Sequence, residues 1–213
     1  MKRILYQGFI ILLFCFVIST FIHEVGHGIS SSAAGIPVST GFNRVGQVYK
    51  KPHDVDFRKG LENNQNPWDM GPNFTLAMAI VFTFVLSKTS SKNKAALMIV
   101  GALACCNSII RLVPMVHAYT GLLIKGSPYM EDEIGTGLIW YKLSNLELLK
   151  YLPALISSLV SVICLYFVIK SFKRKMPELF SKRFFFTSIL VSAYILSVFI
   201  ENVLDNIIRI NWV

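Results

Sequence analysis

Residues 4–27 read ILYQGFIILLFCFVISTFIHEVGH, an apolar run that passes without a break into His23-Glu24-Val25-Gly26-His27. A helix needs roughly 20 mainly apolar residues to cross the hydrocarbon core of a bilayer, so this stretch places the start of the chain in lipid. Further apolar stretches follow at Trp68 to Leu86, Ala95 to Val113, Tyr151 to Ile169 and Phe184 to Leu204, which with Ile4 to Ala34 make five spans. The composition agrees: of 213 residues 54% are hydrophobic and 15% charged, and the mean hydropathy is +0.55, far from the balance of a soluble domain. The expectation is an all-α, multi-pass integral membrane protein with about five transmembrane helices and a candidate short β element after the first, residues 1–213 forming a single membrane-embedded domain with no room for a separate soluble one.

Met1-Lys2-Arg3 before an apolar run is also how a secretory leader begins. The run leads straight into the polar His23 to His27 stretch, however, and the later spans need no cleaved leader, so the first span is read as retained. Cys15, Cys105, Cys106 and Cys164 all lie in or beside apolar spans, where cysteine serves as a small hydrophobe; no disulfide framework is expected. The net charge of +9 does not point to nucleic acid. The basic residues gather between spans, at Lys88, Lys92 and Lys94 and again at Lys173, Arg174, Lys175, Lys182 and Arg183, as the positive-inside rule arranges them. The long connections Gly35 to Pro67 and Met115 to Lys150 are expected to be irregular and functional.

His23-Glu24-Val25-Gly26-His27 has the H-E-x-x-H form, in which a helix carries two His side chains at i and i+4 to one face to hold a metal. Zinc suits imidazole nitrogens, and a catalytic zinc keeps one position open for water, lowering its pKa toward ~7. The Glu beside the first His is then placed to take a proton from that water. Five residues of this form also arise by accident. Their position argues otherwise, because a charged group at the membrane centre costs ~2.5–3.5 kcal/mol or more.

These residues carry a family resemblance. H-E-x-G-H in the first span, followed by Gly35-Ile36-Pro37-Val38 and Gly41-Phe42, resembles the start of the site-2 protease family of intramembrane zinc metalloproteases. Gly71-Pro72-Asn73 at the second span is similar to that family's Gly-Pro-x-x-Asn opening, with Asn two residues earlier, and Asn107 to Pro114 resembles its segment of Asn and Pro. The resemblance covers about the first two thirds of the chain, and its first motif is the specific one. It implies an intramembrane zinc endopeptidase acting on membrane-protein or peptide substrates, with Zn2+ on His23 and His27, Glu24 as general base, and the Gly35 to Pro67 segment beside an extended substrate, held by β-addition. It also implies substrate-holding or oxyanion-binding roles for Asn73 and Asn107; the alternative for each is a hydrogen bond between helices.

The chain departs from that family after Pro114, where Met115 to Gly121 holds no Asp for the third metal ligand. The acids at hand are Glu131, Asp132 and Glu133, then Glu201 and Asp205, with His117 a further possibility. Three adjacent like charges repel unless a cation or solvent relieves them; a solvated acidic turn is the plain alternative. Asp132 is the preferred ligand, because the family's own is Asp, with Glu133 supporting it. Glu201 and Asp205, four apart, resemble instead the E-x-x-x-D element of prenyl-protein and HtpX-like membrane zinc peptidases, with Glu201 as third ligand. A third reading is a non-catalytic membrane protein that binds a metal or a partner helix. Arg111 is expected to snorkel or to pair with an acid, and Trp68, Trp140 and Tyr151 to anchor span ends. The basic clusters would put the start of the chain in the cytoplasm and the His23 end outside, whereas the family resemblance implies the reverse.

Overall fold

The computed structural model describes residues 2–48, 70–177 and 183–212; Trp68, Lys50, Lys51, Arg58, Lys59 and Lys182 lie outside them. Among the described residues there are six α-helices: α1 (Lys2–Ala33), α2 (Gly71–Lys88), α3 (Lys94–Lys125), α4 (Asp132–Ser144), α5 (Leu152–Lys175) and α6 (Arg183–Leu204). All but α4 are long and apolar enough to cross a membrane. Three short strands, β1 (Val38–Thr40), β2 (Val45–Gln47) and β3 (Ile210–Trp212), form an antiparallel sheet in the order β2-β1-β3. The all-α, five-span reading holds, with a small β element after the first helix.

At one end of the bundle, Leu86, Leu97, Cys105, Val168 and Phe172 pack α2, α3 and α5 together. Leu12, Phe16, Ala102, Cys106 and Ala193 join α1, α3 and α6. The cysteines are all free and buried, Cys15, Cys105 and Cys106 within these contacts. The end that carries Lys88, Lys94 and Lys173 is closed by Lys175, whose Nζ donates to the carbonyls of Leu86, Ser87 and Thr89 at 2.7–2.8 Å. These carbonyls at the end of α2 have no partner within the helix, and a cation there also meets the negative end of its dipole.

The Met115 to Lys150 segment is a correction: it is largely helical rather than irregular. Pro114 lies inside α3 and does not end it. A proline within a helix forfeits one hydrogen bond, a cost of ~3 kcal/mol. Burial of Met115 and Ala118 against Ile134 of α4 and Ala154 of α5 offsets that cost. Helix α4 carries Asp132 and Glu133 in its first turn and Lys142 in its last, the favourable polarity for its dipole, and stops at Asn145 in the left-handed conformation. Gly135 and Gly137 obscure this helix in the sequence. Gly137 is needed because the Lys150 carbonyl lies where a Cβ would stand.

Candidate metal centre

His23 lies ~31 Å along α1 from Lys2 at 1.5 Å per residue, so the motif stands at the opposite end of the bundle from the lysine-capped end. His23 and Glu24 are 5% and 6% exposed. Close packing around the motif depends on small residues. Gly26 lies against the Met70 carbonyl and the Gly71 backbone, and Gly71 lies against the His27 ring; a Cβ at either position would collide. Gly28, next to His27, admits the indole of Trp212 from β3, whose Nε1 donates to Thr40 Oγ1 at 2.9 Å.

The structure brings Asp132, at the first residue of α4, to the two histidines. His23 Nε2 is 3.0 Å from His27 Nε2 and 3.1 Å from Asp132 Oδ2, and His27 Nε2 is 3.6 Å from the same oxygen. Among the described residues these three form the group able to hold a metal ion. Ligand atoms at ~2.0–2.1 Å from one tetrahedral zinc stand about 3.3–3.4 Å from each other, so the spacing fits. The donor set fits as well, two imidazole nitrogens and one carboxylate oxygen converging on one point. Burial alone would raise the Asp132 carboxyl, but the facing His27 and the hydrogen bond with His23 hold it well below the usual carboxylate range, the ionised form a metal requires.

The acidic triplet divides three ways, because successive helical residues point in different directions. Glu131 meets His117 Nδ1 at 2.6 Å on an exposed edge where His117 also stacks on Tyr129, so neither is in the centre. Glu133, 3% exposed, turns inward to Arg111 Nη1 at 3.3 Å and accepts from Ser157 Oγ at 2.7 Å. Burial pushes its carboxyl above the ordinary value, with Arg111 pulling it back in part. Arg111 thus pairs with acids, as its place in an apolar span suggested, and also lies 3.4 Å from His23 Nε2 and 3.6 Å from Asp132 Oδ2.

Glu201 and Asp205 are not among the residues that converge here. Asp205 accepts from the backbone N–H groups of Phe42 and Asn43 and faces Arg44 at 3.6 Å; it anchors the turn between β1 and β2 to the end of α6. Glu201 is buried in α6 beside Thr20 and Ser197. Asn107 donates both amide hydrogens, to Ser19 Oγ at 2.9 Å and to the Leu103 carbonyl at 2.8 Å. It ties α3 to α1 and has no N–H left for an oxyanion. Asn73 is exposed on the first turn of α2, two residues beyond the Gly71 that packs on His27. Strand β1 is bordered on both sides, Ser39 facing Gly46 of β2 and Asn211 of β3, so its edges are already taken within the chain. The role of Trp212 carries no motif in the sequence, and Asp205 stood in one read for metal chemistry rather than for anchoring a turn, since both roles arise from pairings across some 160–170 residues.

Comparison with protein-family models, with curated proteins and with solved structures returns no match.

Proposed function

We propose that the protein is an intramembrane zinc metalloendopeptidase, a hydrolase that cuts membrane-protein segments within or near the bilayer, as the resemblance of its first motif to the site-2 protease family implies. One observation carries the reading: His23 Nε2, His27 Nε2 and Asp132 Oδ2 converge at the spacing of a three-ligand zinc site in a bundle of five helices of membrane-spanning length. The nearness of Asp132, and the absence of Glu201 from this group, favour the site-2-like over the prenyl-protein and HtpX-like reading.

Zinc held by these residues supplies Lewis acidity, lowering the pKa of water toward ~7 and polarising a peptide carbonyl. The chain's own groups do the rest. Glu24, buried beside His23 on α1, takes the proton of the attacking water and delivers it to the leaving amine. His23 and Glu24 are buried among the helices, where electrostatic contacts are stronger than in water. Among the described residues β2 is an outer strand of the sheet, and an extended substrate would add to such an edge.

The test is cleavage of a panel of single-span substrates in proteoliposomes by the parent and by Glu24→Gln. The variant is expected to keep its zinc and lose about 10²-fold or more in rate, the contribution of a general base. Equal turnover by both proteins would remove Glu24 from this role. A parent that holds zinc yet cleaves nothing would favour the non-catalytic metal-binding reading.

A further inference from the structure

We infer that Arg111 is a second catalytic residue of this site, the donor that binds the substrate's carbonyl oxygen as it becomes negative. The inference rests on the peptidase reading and assigns a group which that reading leaves without a role. Arg111 is 2% exposed and sits between Ile110 and Leu112 in a membrane-length helix, where a guanidinium is retained only if its surroundings engage it. A guanidinium has five N–H donors in a fixed fork. Nη1 is engaged by Glu133, itself held by Ser157, while Nε has no hydrogen-bond partner among the described residues.

Nη2 faces His23 Nε2 at 3.4 Å. When that nitrogen ligates a metal its lone pair is committed and accepts nothing from Arg111. Nη2 is then left, among the described residues, as a buried, charged donor without a hydrogen-bond acceptor, an expensive arrangement unless an oxygen of water or substrate accepts from it. The two terminal nitrogens border the donor triangle along its His23 and Asp132 edge, at 3.4 and 3.6 Å. That is where a fixed cation reaches an oxygen drawn toward the centre, and Glu133 and Ser157 hold it there before reaction, as preorganised electrostatic catalysis requires.

The step balances without any added reagent. The water oxygen bonds to the carbonyl carbon, the C=O π pair moves onto the carbonyl oxygen, and the water proton passes to Glu24. Arg111 stays protonated throughout and donates N–H to the new oxyanion. The pair then returns, the C–N bond breaks, and Glu24 gives its proton to the amine nitrogen.

The experiment uses the full chain in nanodiscs loaded with Co2+, whose visible absorption reports ligand binding without turnover. Dimethylphosphinate, a tetrahedral monoanion, and imidazole, a neutral metal ligand, are titrated into the parent, Arg111→Lys and the charge-conserving double variant Arg111→Gln/Glu133→Gln. The double variant leaves no buried carboxylate unpaired and so guards against misfolding. Phosphinate affinity is expected to fall about 10-fold in Arg111→Lys and at least ~10²-fold in the double variant, the range seen on removing an oxyanion donor. Imidazole affinity and cobalt content should stay within about 2-fold, since neither needs the guanidinium. Unchanged phosphinate affinity, a parallel loss for imidazole, or a parent blind to phosphinate would overturn the assignment of Arg111 alone. A parent that takes up no cobalt would overturn the metal reading and this assignment with it.

Discussion

Replacing Gly71 by alanine tests whether the packing of α2 on α1 sets the position of a metal ligand. A Cβ at residue 71 would lie closer than 3.0 Å to the Nε2, Cδ2 and Cε1 atoms of His27. Relief to an ordinary contact of ~3.5 Å requires the ring or the helix start to move by roughly 1 Å. Zinc–nitrogen bonds tolerate about ±0.2 Å, so the ring cannot keep its place as a ligand. The expected result is a loss of at least ~10²-fold in zinc affinity, about 2.7 kcal/mol. Competition with a chelator of known affinity measures it in nanodiscs, with circular dichroism confirming that the helices persist. Gly135→Ala is the matched control, because a Cβ there meets nothing within 4 Å and alanine raises the helix propensity of α4 by up to ~1 kcal/mol. Parent-like affinity in Gly71→Ala, or equal losses in both variants, would refute the reasoning.

Three further outcomes follow from the contacts described. Asp205→Ala should free the β1–β2 turn, costing ~1.5–3 kcal/mol for bonds to a charged acceptor and exposing residues 38–48 to limited proteolysis while zinc is retained. Burial raises the Asp205 carboxyl above its ordinary value despite the N–H groups of Asn43 and Phe42 and the nearby Arg44. Its folded pKa therefore exceeds its unfolded one, and its contribution to stability declines as pH rises from the ordinary carboxylate range through the raised value. Asp205→Asn, which keeps an acceptor oxygen, should abolish that decline in thermal unfolding measured across this window. Lys175→Met should strip three carbonyls at the end of α2 of their donor and lower the melting temperature by a few degrees, equivalent to ~1–2 kcal/mol, without altering metal content.

The spans were legible because their signal is compositional: an apolar run of membrane length needs no knowledge of its partners. His23 and His27 were legible for a related reason, since their juxtaposition is a property of a single helix. Asp132 is joined to them only through the fold, and the acidic triplet pointed to it through charge repulsion and family resemblance rather than geometry. What stayed hidden depends on contacts between distant segments. Helix α3 runs past Pro114 because α4 and α5 cover its far half, and α4 is masked by Gly135 and Gly137 although Gly137 is demanded by the Lys150 backbone. Asn107 is a case where a plausible catalytic amide is engaged in packing, with both hydrogens bonded to Ser19 and Leu103. Arg111 was visible as an unusual charge in an apolar helix, but its neighbours His23, Asp132 and Glu133 come from two other elements.

Zinc content of the purified protein, measured by elemental analysis in the parent and in His27→Ala, Asp132→Ala and Glu201→Ala, bears most directly on the proposed centre. The account predicts about one zinc per chain in the parent and in Glu201→Ala, and loss of the metal from His27→Ala and Asp132→Ala, as a mononuclear site with three protein ligands requires. Full zinc occupancy in Asp132→Ala together with its loss from Glu201→Ala would contradict that account and move the third ligand to α6.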